Sequence, residues 1–180
     1  MTHAELIPKA AAWLRKKYAV VATEVVSSAG EEPDAIGFNG AESCLIECKA
    51  TRSDFLTDKK KSWRRTEQHG MGTYRYYLTP QGLVDPEELP PKWGLLELNT
   101  KGKVRCRVRP TRGVRDARGW FNKNTRHELS LLVSLLRRIG QTAPAGVSIR
   151  CYTHETQNKA TLSVIKDREM RLDNVDGAGI

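Results

Sequence analysis

A chain of 180 residues with 30 Lys and Arg against 21 Asp and Glu, a net charge of +9, is long enough to bury a core as one domain without disulfide staples. Hydrophobic residues at 39% and charged residues at 28% are ordinary for a soluble protein; no apolar run approaches a membrane span, and no charged-then-apolar leader opens the chain. A cytoplasmic protein is expected, and the basic excess favours nucleic acid over a membrane surface, because no basic amphipathic helix with a greasy opposite face is visible.

Residues 4 to 17 read as a helix, with Leu6, Ala10, Trp13 and Leu14 at helical spacing. The β-branched run at 18 to 26 predicts a strand, followed by a Gly and acid turn at 30 to 32. Two short strands at 34 to 38 and 43 to 49 form a hairpin around Asn39-Gly40. Thr51, with Asp54 three residues on, predicts a capped helix running from 52 to about 66. An aromatic strand at 73 to 79 ends at Pro80, and a Pro-rich acidic loop leads to a second hairpin over 93 to 98 and 103 to 109. Thr125 and Glu128 form a further capping-box pattern. They open an apolar helix carrying Leu129, Leu132, Val133, Leu136 and Ile139, with Leu131 and Leu135 on a second face and Gly140 as its stop. Residues 146 to 166 alternate weakly, as two strands or as little ordered structure, and the Gly-rich tail from Asp173 is expected to fray.

The cysteines at 44, 48, 106 and 151 lack zinc spacing and read as free thiols. The histidines at 3, 69, 127 and 154 show no metal spacing either. Chemistry concentrates instead at 44 to 49. There Leu45, Glu47 and Lys49 share one face of a strand, opposite Cys44, Ile46 and Cys48. An acid and an ammonium two apart on an apolar strand are costly unless that face opens onto a cleft or the pair is satisfied. Asp34 begins the neighbouring strand of the hairpin and can sit beside Glu47. Two carboxylates next to a lysine suit phosphodiester hydrolysis: the acids hold a hard cation that activates water, and the lysine orients or deprotonates that water.

Pro33-Asp34 followed by Glu47-Cys48-Lys49 resembles the signature of PD-(D/E)xK nucleases. The stretch from Glu47 to Arg64, with Asp54-Phe55, Asp58 and Trp63, resembles the E-x-K-x-S-x-x-D-F-x-x-D-x-K-W run of the MmcB-like family, small bacterial and phage proteins linked to DNA repair. The register is looser at Thr51 and Ser62; residues 74 to 98 extend the likeness, which spans roughly the first hundred residues. The resemblance implies a restriction-endonuclease-like α/β core, a central mixed β-sheet flanked by helices, over residues 1–140. Residues 141–180 would be an extension with a small β element and a flexible tail. It also implies a Mg²⁺- or Mn²⁺-dependent endodeoxyribonuclease of DNA repair or phage DNA processing, in the cytoplasm of a bacterial or phage-infected cell. Asp34, Glu47 and Lys49 would be catalytic, and the metal would lie on Asp34, Glu47 and the Cys48 backbone carbonyl. An acid of the first helix, Glu5, would join them, with Glu24 as its competitor. Asp54 and Asp58, one turn apart, would support the site, or else serve only as a helix N-terminal dipole pair and an exposed acid.

DNA-binding residues are expected at Lys59, Lys60, Lys61 and Arg64 after the motif and at Lys103, Arg105, Arg107 and Arg109, which alternate with small or apolar residues on one strand. Arg112, Arg115 and Arg118 would extend that surface, and RNA phosphates would suit it equally. A second copy of the chain is an open option. The rival expectation is a DNA-binding repair-accessory protein or structure-specific resolvase with the same fold and little general cleavage.

Overall fold

The computed structural model describes residues 1–26, 31–40, 42–111, 115 and 121–142. The expectations for residues 146–166 and for the tail, and those for Arg112, Arg118, Cys151 and His154, lie outside these residues, as does most of the extension set at 141–180.

The fold opens with α1 (His3–Leu14), fixed by a reciprocal cap at its start. The Glu5 backbone N–H donates to the Thr2 hydroxyl (3.3 Å), and the Thr2 N–H donates to the Glu5 carboxylate (2.6 Å). Six strands follow, β1 (Val20–Thr23), β2 (Ala35–Asn39), β3 (Glu42–Cys48), β4 (Tyr74–Pro80), β5 (Gly94–Leu98) and β6 (Val104–Val108), and they lie side by side in chain order. The β3–β4 and β4–β5 pairs are parallel and the other three antiparallel, so the expected mixed α/β sheet flanked by helices is present. In the first hairpin Asn39 pairs with Glu42, so the connection begins at Gly40, one residue later than the Asn-Gly pattern suggested; Gly40 takes φ +57, a region open to glycine.

Alternation sorts the sheet into two cores. Ala35, Cys44, Ile46, Cys48, Tyr76, Leu78, Leu96 and Leu98 face Leu6, Ile7, Ala10 and Leu14 of α1. The other face packs Ile36, Leu45, Tyr77 and Leu95 against Phe55, Met71, Trp93 and Leu131. The central strands are buried on both sides, as parallel strands between helical layers are.

Between β3 and β4 the single helix expected from 52 to 66 is two: α2 (Arg52–Asp58), capped by Thr51 as anticipated, and α3 (Ser62–Arg65). Six residues along one continuous helix turn about 600°, which sets side chains 58 and 64 far apart in azimuth. The extended backbone at Lys61 breaks the helix, and Asp58 and Arg64 meet.

The last described helix, α4 (Thr125–Thr142), departs from expectation at both ends and in its packing. Asn124, not Thr125, caps it, accepting from the His127 N–H at 3.0 Å. Glu128 is buried and accepts instead from the Ser43 hydroxyl (2.6 Å) and the Gly72 N–H (2.9 Å), with Lys123 paired at 2.7 Å. The helix continues through Gly140, where glycine costs only about 1 kcal/mol. Leu131 is the fully buried residue, with Leu135 beside it, while Leu129, Val133 and Leu136 are exposed; the face expected to be minor is the one that docks.

Candidate active site

Glu47 and Lys49 stand at the carboxyl end of β3, beside its parallel partner β4, the end of a parallel sheet where crevices open. The Lys49 backbone N–H continues the ladder to the Leu78 carbonyl (2.9 Å), which holds Lys49 in strand geometry past the end of β3. Its ammonium therefore returns to the face of Glu47 and lies 3.2 Å from Oε2. Carrying the β2–β3 register one step beyond Ala35–Ile46 sets Asp34 opposite Glu47, and one step beyond Thr23–Ala35 sets Glu24 opposite Asp34. Asp34 and Glu47 are thus neighbours across β2 and β3, an arrangement that like charges oppose unless cations accompany it, while Glu24 follows the end of β1. Glu24 holds φ +50, which a non-glycine residue seldom adopts, while its N–H donates to the Asp34 carbonyl at 3.2 Å.

Glu47 meets a buried arginine. Arg64 is 3% exposed; its Nε donates to Asp58 (2.6 Å), its Nη1 contacts Glu31, and its Nη2 lies 3.0 Å from Glu47 Oε1. The guanidinium also rests 5.0 Å from the centre of the Trp93 ring. Asp58 receives Lys49 (3.3 Å), Lys61 (2.9 Å) and the Tyr77 hydroxyl (2.9 Å) as well. Glu31 closes the web by accepting from the Met71 N–H at 2.6 Å.

These surroundings divide the carboxylates. Burial pushes Glu47 up to about 7 despite Arg64 and Lys49. Asp58 shares the same cations and is buried too, but Arg64, Lys49 and Lys61 together hold it below the usual carboxylate range. Burial works to lower Lys49, yet Glu47, Asp58 and Asp34 outweigh it and raise the ammonium. A lysine held in its charged form orients water and neutralises developing negative charge; it does not take a proton from that water.

Asp34 lies at the rim. Its Oδ2 accepts from the Cys48 N–H at 2.7 Å, leaving Oδ1, which His3 Nε2 approaches at 3.3 Å. His3 Nδ1 lies 3.0 Å from the Cys48 carbonyl. The residue of α1 that reaches the site is therefore His3. Glu5, the acid expected there, is committed to capping its own helix and is exposed.

Two carboxylate oxygens are candidate donors to a divalent cation. Asp34 Oδ1 has no backbone donor, and Glu47 Oε1 is a buried oxygen without a hydrogen bond, although Arg64 Nη2 lies 3.0 Å from it. Among the described residues no three His, Cys, Asp or Glu side chains converge closely enough to hold an ion by themselves. Water and substrate phosphate would complete the coordination, as is usual for Mg²⁺.

No protein-family model and no curated protein matches the chain. Among solved structures, a protein of unknown function from Silicibacter pomeroyi superposes with a TM-score of 0.48 at 21% identity, over 72% of this chain and 84% of that one.

The expected DNA-facing residues separate. Lys60 is exposed, the Lys59 ammonium lies 6.0 Å from the Phe55 ring, and Lys61 is exposed but paired with Asp58. Arg64 is the correction: three carboxylates and burial make it an internal partner of the site, not a phosphate contact. Lys103, Arg105, Arg107 and Arg109 are exposed at β6, an edge strand. They do not share one face, because a register shift at Leu95/Leu96 intervenes. Arg105 pairs with Glu97 and Val108 with Leu95, both on the face of Glu47, so Arg109 turns to the α1 side, where its charge acts on Tyr76.

Sequence reasoning singled out Asp34, Glu47, Lys49, Asp54 and Asp58 and missed Glu31, Tyr77 and His3; Asp54 is exposed in the first turn of α2, where its N–H donates to Thr51. Glu31 sits in an acidic turn and Tyr77 in an aromatic strand, where neither residue type is distinctive. His3 lies far in sequence from its partners, beyond the reach of any spacing rule.

Proposed function

We propose that the chain is a divalent-metal-dependent endonuclease that hydrolyses DNA phosphodiester bonds, in DNA repair or phage DNA processing. The observation that carries this reading is the Lys49 ammonium 3.2 Å from Glu47 at the carboxyl end of β3, with Asp34 opposite Glu47 in register. In this reading Asp34 and Glu47 would hold Mg²⁺ or Mn²⁺, which would supply Lewis-acid activation of the phosphate and of water. Lys49, charged, orients that water and offsets negative charge at the phosphorus. Asp58 and Arg64 fix the positions of Lys49 and Glu47. The exposed cations Lys60, Lys103, Arg105 and Arg107 supply a sequence-independent hold on the nucleic-acid backbone.

The test is a Mg²⁺/Mn²⁺ panel of linear, nicked, flapped, branched and single-stranded DNA, with single-stranded RNA included. Metal-dependent cutting that disappears in Lys49→Ala, while DNA binding persists, supports the reading. Cutting that survives in both Glu47→Ala and Lys49→Ala sinks the site assignment.

One observation favours a second reading, a DNA-binding repair-accessory protein or junction-specific resolvase with little general cleavage. Both Glu47 oxygens already face cations, Lys49 and Arg64, so a metal competes with internal ion pairs. That protein would bind DNA in a salt-sensitive way and leave most of the panel uncut.

A further inference from the structure

We propose that His3 is a metal ligand, so that this site takes an imidazole nitrogen and prefers Mn²⁺-like cations to Mg²⁺. The inference rests on the nuclease reading above and extends it to the choice of metal.

Three distances carry it. His3 Nδ1 lies 3.0 Å from the Cys48 carbonyl oxygen. A carbonyl accepts only, so in the neutral ring the proton resides on Nδ1 and the Nε2 lone pair is bare. Nε2 is aimed at Asp34 Oδ1, 3.3 Å away. In that form two acceptors face each other, and a cation between or beside them relieves the repulsion; a doubly protonated ring would instead donate from Nε2 to Oδ1, and binding of Mn²⁺ separates the two. Asp34 itself is held by its other oxygen, which accepts from the Cys48 N–H at 2.7 Å, so Oδ1 is the oxygen left to bind.

The separation has the right size. First-row metal bonds to imidazole nitrogen and carboxylate oxygen are about 2.0–2.2 Å long, and two such ligands at a right angle stand about 3 Å apart. His3 Nε2 and Asp34 Oδ1, at 3.3 Å, are spaced as adjacent ligands of one ion. The Nδ1–H bond to a backbone carbonyl is the outer contact that orients metal-binding histidines and fixes their tautomer. The peptide around Cys48 therefore positions both ligands, Asp34 through its N–H and His3 through its carbonyl. An entry path exists too, since the His3 side chain is 47% exposed and that of Asp34 17%.

The arrangement differs from a carboxylate-only site in a way that selects the metal. Mg²⁺ favours oxygen and dehydrates reluctantly, whereas imidazole suits the later divalent ions. The cap at Thr2 and Glu5 anchors the start of α1 and holds His3 where it can reach Asp34.

The test uses the untagged full chain, stripped of metal and titrated with Mn²⁺ alone. Pulsed electron paramagnetic resonance of bound Mn²⁺ should show coupling to an imidazole ¹⁴N. His3→Gln should remove that coupling and weaken Mn²⁺ roughly tenfold or more, with a smaller loss for Mg²⁺. If Asp34→Asn abolishes Mn²⁺ binding but the wild type shows no nitrogen coupling, or His3→Gln keeps it, the role of His3 is overturned and the nuclease reading stands. If the wild type binds neither Mn²⁺ nor Mg²⁺, with or without DNA, both fall.

Discussion

Lys49 Nζ lies 3.3 Å from Asp58 Oδ1, a contact between the end of one strand and the last residue of the helix that follows it. Asp58 is also held by Arg64, Lys61 and Tyr77, so the ammonium leans on a carboxylate that stays ionised. Glu47 binds the same ammonium, but burial raises it despite Arg64. Lys49 is thereby fixed between one permanent anion and one that titrates.

Lys49→Ala should cost about 10²–10³-fold in the rate of metal-dependent cleavage, the usual loss when one preorganised electrostatic contact to a transition state is removed. DNA affinity should change little, because the backbone contacts proposed for this chain lie at Lys60 and β6. Single-turnover cleavage measured beside a binding isotherm separates the two. An equal fall in both would place Lys49 in binding, not in chemistry.

Glu47 gives the protein a specific pH response. Its folded value, about 7, stands above the ordinary 4.5, so between these values the folded state holds a proton that the unfolded state has released. The linked contribution is fully present below 4.5 and is lost as pH rises to about 7, a change on the order of 3 kcal/mol. Glu47→Gln cannot titrate there. The metal-free variant should gain stability relative to the wild type as pH rises from 4.5 to 7, in paired urea titrations. Parallel curves for the two proteins would show that Glu47 is not raised. Metal binding runs the opposite way, because protons compete for the same oxygens: wild-type affinity should climb through this window.

The strand hairpin, the capped helix after it and the mixed sheet were legible because each depends on local signals: alternation, Thr51 before Asp54, β-branched and aromatic runs. Asp34, Glu47 and Lys49 were legible for the same reason, since charge on an apolar strand is conspicuous. Long-range pairing was not. Nothing local distinguishes Arg64 from the lysines beside it, yet the break at Lys61 turns it inward to Asp58. Likewise both faces of α4 are apolar, and only the position of Leu131 against the sheet decides which one docks. A bulge at Leu95/Leu96 is invisible to a count of alternating residues, so β6 reads as one basic face when it is two.

Arg64 should behave as a structural keystone of the site. Arg64→Leu leaves Glu31, Glu47 and Asp58 without their shared cation, and breaking a buried pair by removing one partner costs about 3–5 kcal/mol. Arg64→Lys should recover little, because an ammonium cannot meet three carboxylates from a planar fork or stack on Trp93. Urea unfolding reads both. A loss within about 0.5 kcal/mol, the range of ordinary surface changes, would contradict the buried web.

The bulge makes the two ends of β6 unequal. Arg105 shares the sheet face of Glu47, whereas Arg109 turns toward α1, so on the nuclease reading a duplex at Glu47 would be reached by the first and not the second. Arg105→Gln should weaken DNA binding and lower the salt dependence by about one unit of slope, the value of one lost phosphate contact. Arg109→Gln should leave the slope nearly unchanged. Both residues are exposed, so neither change should move stability by more than about 0.5 kcal/mol. Affinities measured between low and moderate salt for the two variants decide the matter. Equal loss of slope in both would mean that DNA engages the β6 edge from either side, and that the face shared with Glu47 does not set its path.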